Sequence, residues 1–239
     1  MKINYNYIKF SLLAIFMVVI CSFSTSKNKK RLVSKPNIEF VGANNLFITS
    51  ETVSNLLIQK QKEAENLTKE ALDLNSLEHS LMKNPMISSA EVYVNTQGAL
   101  SAKILQKQPI ARVVGTSQFY VDSEGGFMPL SKNYTERVPF VTGTVKKDDL
   151  SAVFTIAQFI KTDAFLTKQV VEIHQNEFKE ISLKLREANF EVRLGELKQL
   201  EKKINNLKAF YVKASRDNAL GNYRLVNLQF DNQVVCTKV

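Results

Sequence analysis

The sequence predicts an α+β fold: an N-terminal membrane helix, a small unit in strand-helix-helix-strand-strand order, and a β-rich unit with helices packed on an antiparallel sheet. Three observations predict it. Residues 10–26, FSLLAIFMVVICSFSTS, carry no charge. Helical spacing stops at Asn84-Pro85 and two alternating runs follow at once. Gln108-Pro109-Ile110-Ala111-Arg112 then opens a second series of short alternating runs, interrupted by two amphipathic stretches.

The charge-free stretch sits at the lower limit for a helix that spans a bilayer, and Lys9 lengthens it by reaching back to the headgroups. Lys2 and Lys9 precede it, whereas Lys27, Lys29, Lys30, Arg31 and Lys35 follow it. That bias alone favours an inward C-terminal side, but long domains are exported largely regardless of flanking charge. Ser22-Phe23-Ser24 also gives cleavage-like spacing, so a removed signal peptide is the competing reading. Bulky Val18-Val19-Ile20 before Cys21 argues against lipidation. The expectation is a retained anchor at 10–26 with a basic juxtamembrane segment at 27–35.

In the first unit, Asn37 to Val41 is a short strand. Thr49 caps a helix whose Val53, Leu56 and Leu57 share a face. The Lys/Glu-rich stretch from Gln59 to Glu70 is an exposed connection or an extension of that helix. Asn75 with Glu78 forms a capping-box-like start for a second helix lined by Leu74, Leu77 and Leu81, which Pro85 ends. Ala90, Val92 and Val94 then alternate with polar residues. After a Thr96-Gln97-Gly98 turn, Leu100, Ala102 and Ile104 do the same.

The second unit begins with strands at Ile110–Val114, Phe119–Val121 and Val138–Val141, with Asp122-Ser123-Glu124-Gly125-Gly126 as a turn. Asp148 is the expected cap of a helix that buries Leu150, Val153, Phe154, Ala157 and Ile160. Val170–His174 and Glu180–Leu185 form a hairpin, and Phe190, Val192 and Leu194 alternate before Gly195. A helix from Leu197 to Ala214 buries Leu200, Ile204, Leu207 and Phe210. Tyr223–Phe230 alternates inward Val226, Leu228 and Phe230 with outward Leu225, Asn227 and Gln229, and Gln233–Thr237 extends or returns it.

Composition excludes several functions. The 239 residues carry a net charge of +9, but seven basic and no acidic residues lie within 1–35. The remaining 25 basic and 23 acidic residues leave the folded part nearly neutral, so the excess is a membrane flank attracted to anionic lipid and not a nucleic-acid footprint. His79 and His174 are the two histidines, and Cys21 and Cys236 the two cysteines. No spaced ligand set for zinc and no disulfide framework follows from them. Gly125-Gly126 lacks the lysine of a phosphate loop. Asp148-Asp149 suits a helix start, and Arg112 suits a surface ion pair. No catalytic, cofactor or metal residue is expected.

Ordered strings carry a resemblance. Asn45-Leu46-Phe47-Ile48-Thr49, Leu77-Glu78 through Lys83-Asn84-Pro85, Ala90-Glu91-Val92-Tyr93, Gln108-Pro109-Ile110-Ala111-Arg112 and Tyr120-Val121-Asp122 begin it. Met128-Pro129-Leu130-Ser131, Arg137 through Gly143, Arg193-Leu194-Gly195, Val226 through Phe230 and Gln233 through Lys238 complete it. Together they resemble the FtsQ/DivIB cell-division family in its Bacteroidetes form. The resemblance implies a short cytoplasmic tail at 1–9, a POTRA domain at 36–107 and an FtsQ-type β-domain at 108–239. It implies a single-pass inner-membrane protein with a periplasmic ectodomain at the division septum. This would be a non-catalytic scaffold that binds FtsB- and FtsL-like coiled-coil partners and so supports the septal peptidoglycan synthase.

The family's partner adds a strand to an exposed sheet edge. Carried over to this sequence, that edge is Arg224, Leu225, Val226, Asn227, Leu228, Gln229 and Phe230, with Leu225, Asn227 and Gln229 free of the core. The competing reading is a secreted or periplasmic protein that binds or acts on the cell wall through a POTRA-like domain.

Overall fold

A computed structural model describes residues 9, 10, 12–20, 22, 36–43, 45–65, 73–95, 99–230 and 233–239. The described residues between 9 and 22 are helical and exposed. Among the described residues no helix is long and apolar enough to cross a membrane, so the membrane helix expected at 10–26 is not shown. Positions 11, 21 and 23–26 of that segment lie outside the described residues, as do 1–8, 27–35 and the turn at 96–98. The chain divides into two compact units, 1–106 and 107–239.

The first unit contains β1 (Asn37–Val41), α1 (Ser50–Glu65), α2 (Leu74–Met82), β2 (Ile87–Val94) and β3 (Leu100–Gln106). The sheet order is β1-β3-β2, with β1 parallel and β2 antiparallel to β3. Thr49 caps α1 by accepting the Thr52 N–H on its hydroxyl at 3.2 Å. The capping box expected at Asn75 and Glu78 does not form. Asp73 caps α2 instead, accepting from the Ser76 N–H, and the Glu78 carboxylate reaches away to accept the Val92 N–H of β2 at 2.7 Å. Val53, Leu57, Leu77, Leu81, Val92 and Ile104 form the core.

Gln106 closes this unit. Its side chain is buried, its Oε1 accepts the N–H groups of Phe47 and Ile48 at 2.9 and 3.1 Å, and its Nε2 donates to the Ile48 carbonyl at 3.0 Å. Phe47 and Ile48, in the loop that enters α1, are buried, so their backbone groups need such a partner. Gln106→Leu removes these three hydrogen bonds, and urea unfolding of the chain is expected to show a loss of about 2–4 kcal/mol.

The second unit contains β4 (Pro109–Val113), β5 (Phe119–Asp122), β6 (Phe127–Met128), β7 (Phe140–Gly143), α3 (Ser151–Thr162), α4 (Ala164–Gln169), β8 (Val170–Gln175), β9 (Ile181–Leu185), β10 (Glu191–Gly195), α5 (Leu200–Arg216), β11 (Tyr223–Asn227) and β12 (Val235–Lys238). Nine strands form one sheet in the order β12-β11-β10-β9-β8-β7-β4-β5-β6. This sheet is mixed, not antiparallel as expected. β4 with β7, β7 with β8, and β10 with β11 run parallel. The reason lies in the connections: α3 with α4, between β7 and β8, and α5, between β10 and β11, are crossovers that return the chain in the direction it left, and β5 and β6 intervene between β4 and β7.

Two helix starts differ from expectation. Asp148 caps nothing. α3 begins after Leu150 without a side-chain cap, and it is Asp149 that accepts the Ser151 hydroxyl. The chain breaks at Asp163 into a further short helix, α4, because this carboxylate accepts the N–H groups of Phe165 and Leu166, both at 3.0 Å. Lys208 of α5 donates to its second oxygen. Buried faces of α3 and α5, including Val153, Ile156, Ile204 and Leu207, share a core with Ile173, Leu183, Val192 and Val226 of the sheet.

Burial opposes the charge on Asp163, but the Lys208 hydrogen bond, the two backbone donors and the Lys208 charge outweigh it and lower its pKa from 3.8. A depressed carboxylate stabilises the fold above its ordinary pKa and loses that contribution as pH falls through the lower, folded value. Asp163→Asn is therefore expected to cost about 1 kcal/mol at pH 7. Thermal melts of parent and variant converge as pH drops below 3.8.

Candidate functional site

Of the seven residues expected to form a free edge, Arg224 to Asn227 lie in a strand that is paired on both sides. β11 takes in Arg224 to Asn227, with Val226 buried. Leu228 is buried beyond the strand's end, Gln229 is exposed, and Phe230, expected to point inward, is 47% exposed. The strand ends early because Asn227 Oδ1 accepts the Gln229 N–H at 2.9 Å and turns the chain.

On one side β11 pairs with β10, Glu191 against Leu225 and Arg193 against Asn227. On the other it pairs with β12, Leu225 against Thr237 and Asn227 against Val235. β12 therefore stands outside β11 at the end of the sheet order. α5 delivers β11 alongside β10, and the returning chain covers its outer side with β12.

The backbone directions follow from one hydrogen bond. The Leu228 N–H donates to the Arg193 carbonyl at 2.9 Å, so even-numbered groups of β11 face β10 and odd-numbered groups face β12. Val235 and Thr237 therefore bond to β11, and Cys236 turns its N–H and C=O away from the sheet. At the opposite end β6 is two residues long and runs into Pro129, a poor template for a further strand. Cys236 is half-buried and burial raises its thiol pKa, which makes it an unreactive thiol.

Next to this end of the sheet lies a polar cleft of about 330 Å³. His174 of β8, Ser182 of β9, Glu191 and Arg193 of β10, Glu180 and Gln229 line it. Glu180 accepts Asn176 Nδ2 at 2.8 Å and Gln229 Nε2 at 3.4 Å. Arg193 lies 3.8 Å from Glu191. Gly195, at φ +66°, admits Gln229, because a Cβ there would sit 2.5 Å from Gln229 Nε2.

Beside the cleft, Glu172 accepts Thr142 Oγ1 at 2.8 Å and Lys184 Nζ at 2.9 Å. Burial works against the Glu172 charge, but these hydrogen bonds outweigh it and lower its pKa. Among the described residues no three His, Cys, Asp or Glu side chains are grouped to hold a metal. The sequence reading singled out Gln229 but not Glu180 or the role of Arg193. The available signal was their place on the outward, alternating positions of successive strands.

A three-stranded sheet with two helices, followed by a mixed nine-stranded sheet with helical crossovers, defines a two-unit α+β protein. Comparison with known proteins is specific. Residues 36–105 match the POTRA-like domain, and residues 108–237 match the family described as FtsQ/DivIB, C-terminal related. The chain belongs to the FtsQ/DivIB family. It is also 26% identical over 180 residues to the cell division protein FtsQ of Geotalea daltonii, covering 70% of this chain and 64% of that protein. The alignment thus spans less than two thirds of the relative's length.

Hydrogen exchange tests the edge assignment. The Cys236 amide is expected to exchange at least ~10-fold faster than those of Asn227 and Thr237, which are bonded between β11 and β12. Equal protection at Cys236 would mean that another segment covers β12.

Proposed function

We propose that this protein is a non-catalytic scaffold of bacterial cell division, held in the inner membrane by residues 10–26 with both folded units on the periplasmic side at the septum. Its partners are FtsB- and FtsL-like coiled-coil membrane proteins, through which it supports septal peptidoglycan synthesis. Family membership and the cell-division relative support the role. The observation that carries the binding mode is the contrast between sheet ends: β6 is short and stopped by proline, whereas among the described residues no strand pairs with the outer side of β12.

A partner strand laid against β12 gains main-chain hydrogen bonds there, and alternate side chains set its selectivity. Registered rows cross the sheet at this point. Arg193, Asn227 and Val235 are aligned, as are Glu191, Leu225 and Thr237. The segment Arg224–Phe230 then acts from behind the edge, through Leu225 and Asn227, and does not offer its own backbone.

The test is in-cell photo-crosslinking from a probe at exposed Val235, in the parent and in a Cys236→Pro background. Proline removes the outward N–H while sparing the bonds to β11. The expected result is capture of a small coiled-coil membrane protein, reduced about tenfold or more by Cys236→Pro with the unfolding midpoint retained. Undiminished capture would move the docking site off β12. Recovery of a soluble chain trimmed near Ser24 would favour the secreted, wall-binding reading.

A further inference from the structure

We propose that the polar cleft on the exposed face of β8–β10 is a saccharide subsite, taking a short stretch of a neutral, hydroxyl-rich glycan chain. This inference does not depend on strand addition at β12. The cleft's volume of about 330 Å³ lies at the small end of ligand-sized pockets, about 300–1,000 Å³.

Its lining decides the class of ligand. Ile181 is the one apolar residue that the cleft's wall includes, so an apolar ligand gains little there. A polyanion would meet the carboxylates of Glu180 and Glu191. The single guanidinium, Arg193, is already beside Glu191. What remains is a set of planar, two-pronged groups (Glu180, Glu191, Arg193 and Gln229) that present acceptors and donors side by side. Vicinal hydroxyls of a sugar ring, each able to donate and accept, match such groups.

His174 adds an acceptor by hydrogen-bond bookkeeping. The Thr142 hydroxyl has a single proton and gives it to Glu172 Oε1 at 2.8 Å. The contact between Thr142 Oγ1 and His174 Nδ1 at 2.9 Å must then be donated by the ring. In the neutral imidazole this leaves Nε2 without a proton, as an acceptor.

Two aromatic rings complete the argument. Phe178 lies on the turn between Asn176 and Glu180 and is 84% exposed, and Phe230 follows Gln229 directly and is also exposed. Both are close in sequence to residues that line the cleft, Asn176, Glu180 and Gln229, and an aromatic face there can cover the apolar C–H face of a sugar ring. Glu180 is held in place before any ligand arrives by Asn176 and Gln229, which lowers the ordering cost of binding.

The experiment uses the full chain in lipid nanodiscs and saturation-transfer NMR, which reads weak binding from the ligand signal. The probe is chitotetraose, with maltotetraose as a second glycan and inorganic phosphate as an anion control. An open cleft of this size is expected to bind chitotetraose with a Kd of about 1 mM. Phe178→Ser and Arg193→Met are expected to weaken it about fivefold or more. Each variant's urea midpoint checks its fold. Equal binding of maltotetraose would keep the saccharide assignment without linkage preference. Absence of saturable transfer up to about 20 mM, insensitivity to both variants, or preference for phosphate would each overturn it.

Discussion

The parallel pairing of β10 with β11 is the constraint on which the second unit depends. Parallel neighbours cannot be joined by a tight turn, so the chain must cross the sheet through α5. That helix is fixed on several sides. Leu200, Ile204, Leu207, Tyr211 and Ala214 bury its inner face. Lys203 donates to the carbonyls of Leu194 and Glu196 and ties its first turn to the end of β10. Phe210 packs edge-on against Phe190 ahead of β10 and against Tyr223 at the start of β11, with ring centroids 5.7 and 5.1 Å apart. These contacts act on both strands of the parallel pair at once. With β11 held beside β10, one side of it remains free, and β12 takes that side.

The same registers connect the edge with the cleft. Thr142, His174, Ser182, Arg193, Asn227 and Val235 occupy successive aligned positions from β7 to β12. Residues opposite one another on adjacent strands put their side chains on the same face. Three residues that line the cleft, His174, Ser182 and Arg193, therefore stand in one row with Val235 at the rim. Helices and core lie beneath this surface, since the intervening residues Ile173, Leu183, Val192 and Val226 are buried.

Much of this architecture was legible from the sequence, and its gaps have physical causes. Alternation places Val226 inward and Leu225 outward correctly, because side-chain direction is a property of the strand itself. It does not say which strand lies alongside, and so Tyr223–Phe230 reads equally well as an edge or as an interior strand. Phe230 departs because alternation continues in the residues after the Asn227 turn has ended the strand. The spacing of Asn75 and Glu78 satisfies a capping pattern, yet Asp73 stands nearer the helix start and Glu78 finds a partner on β2. Asp163 is a good cap hidden between two helical stretches, where continuous periodicity masks the break. The cleft was illegible for another reason. Glu180, Arg193 and Gln229 lie far apart in the chain and meet only through the sheet order.

β12 is also the final strand of this sheet in chain order, and its one neighbour, β11, takes its position from the crossover before it. The outward backbone of Cys236 consequently depends on β11 being in place beside β10. A chain halted or unfolded short of β12 would instead offer the outer side of β11, with a different register and different side chains. The outer side of β12 is therefore present only where β10, α5 and β11 have already come together, and so it reports on the assembly of this whole end of the sheet.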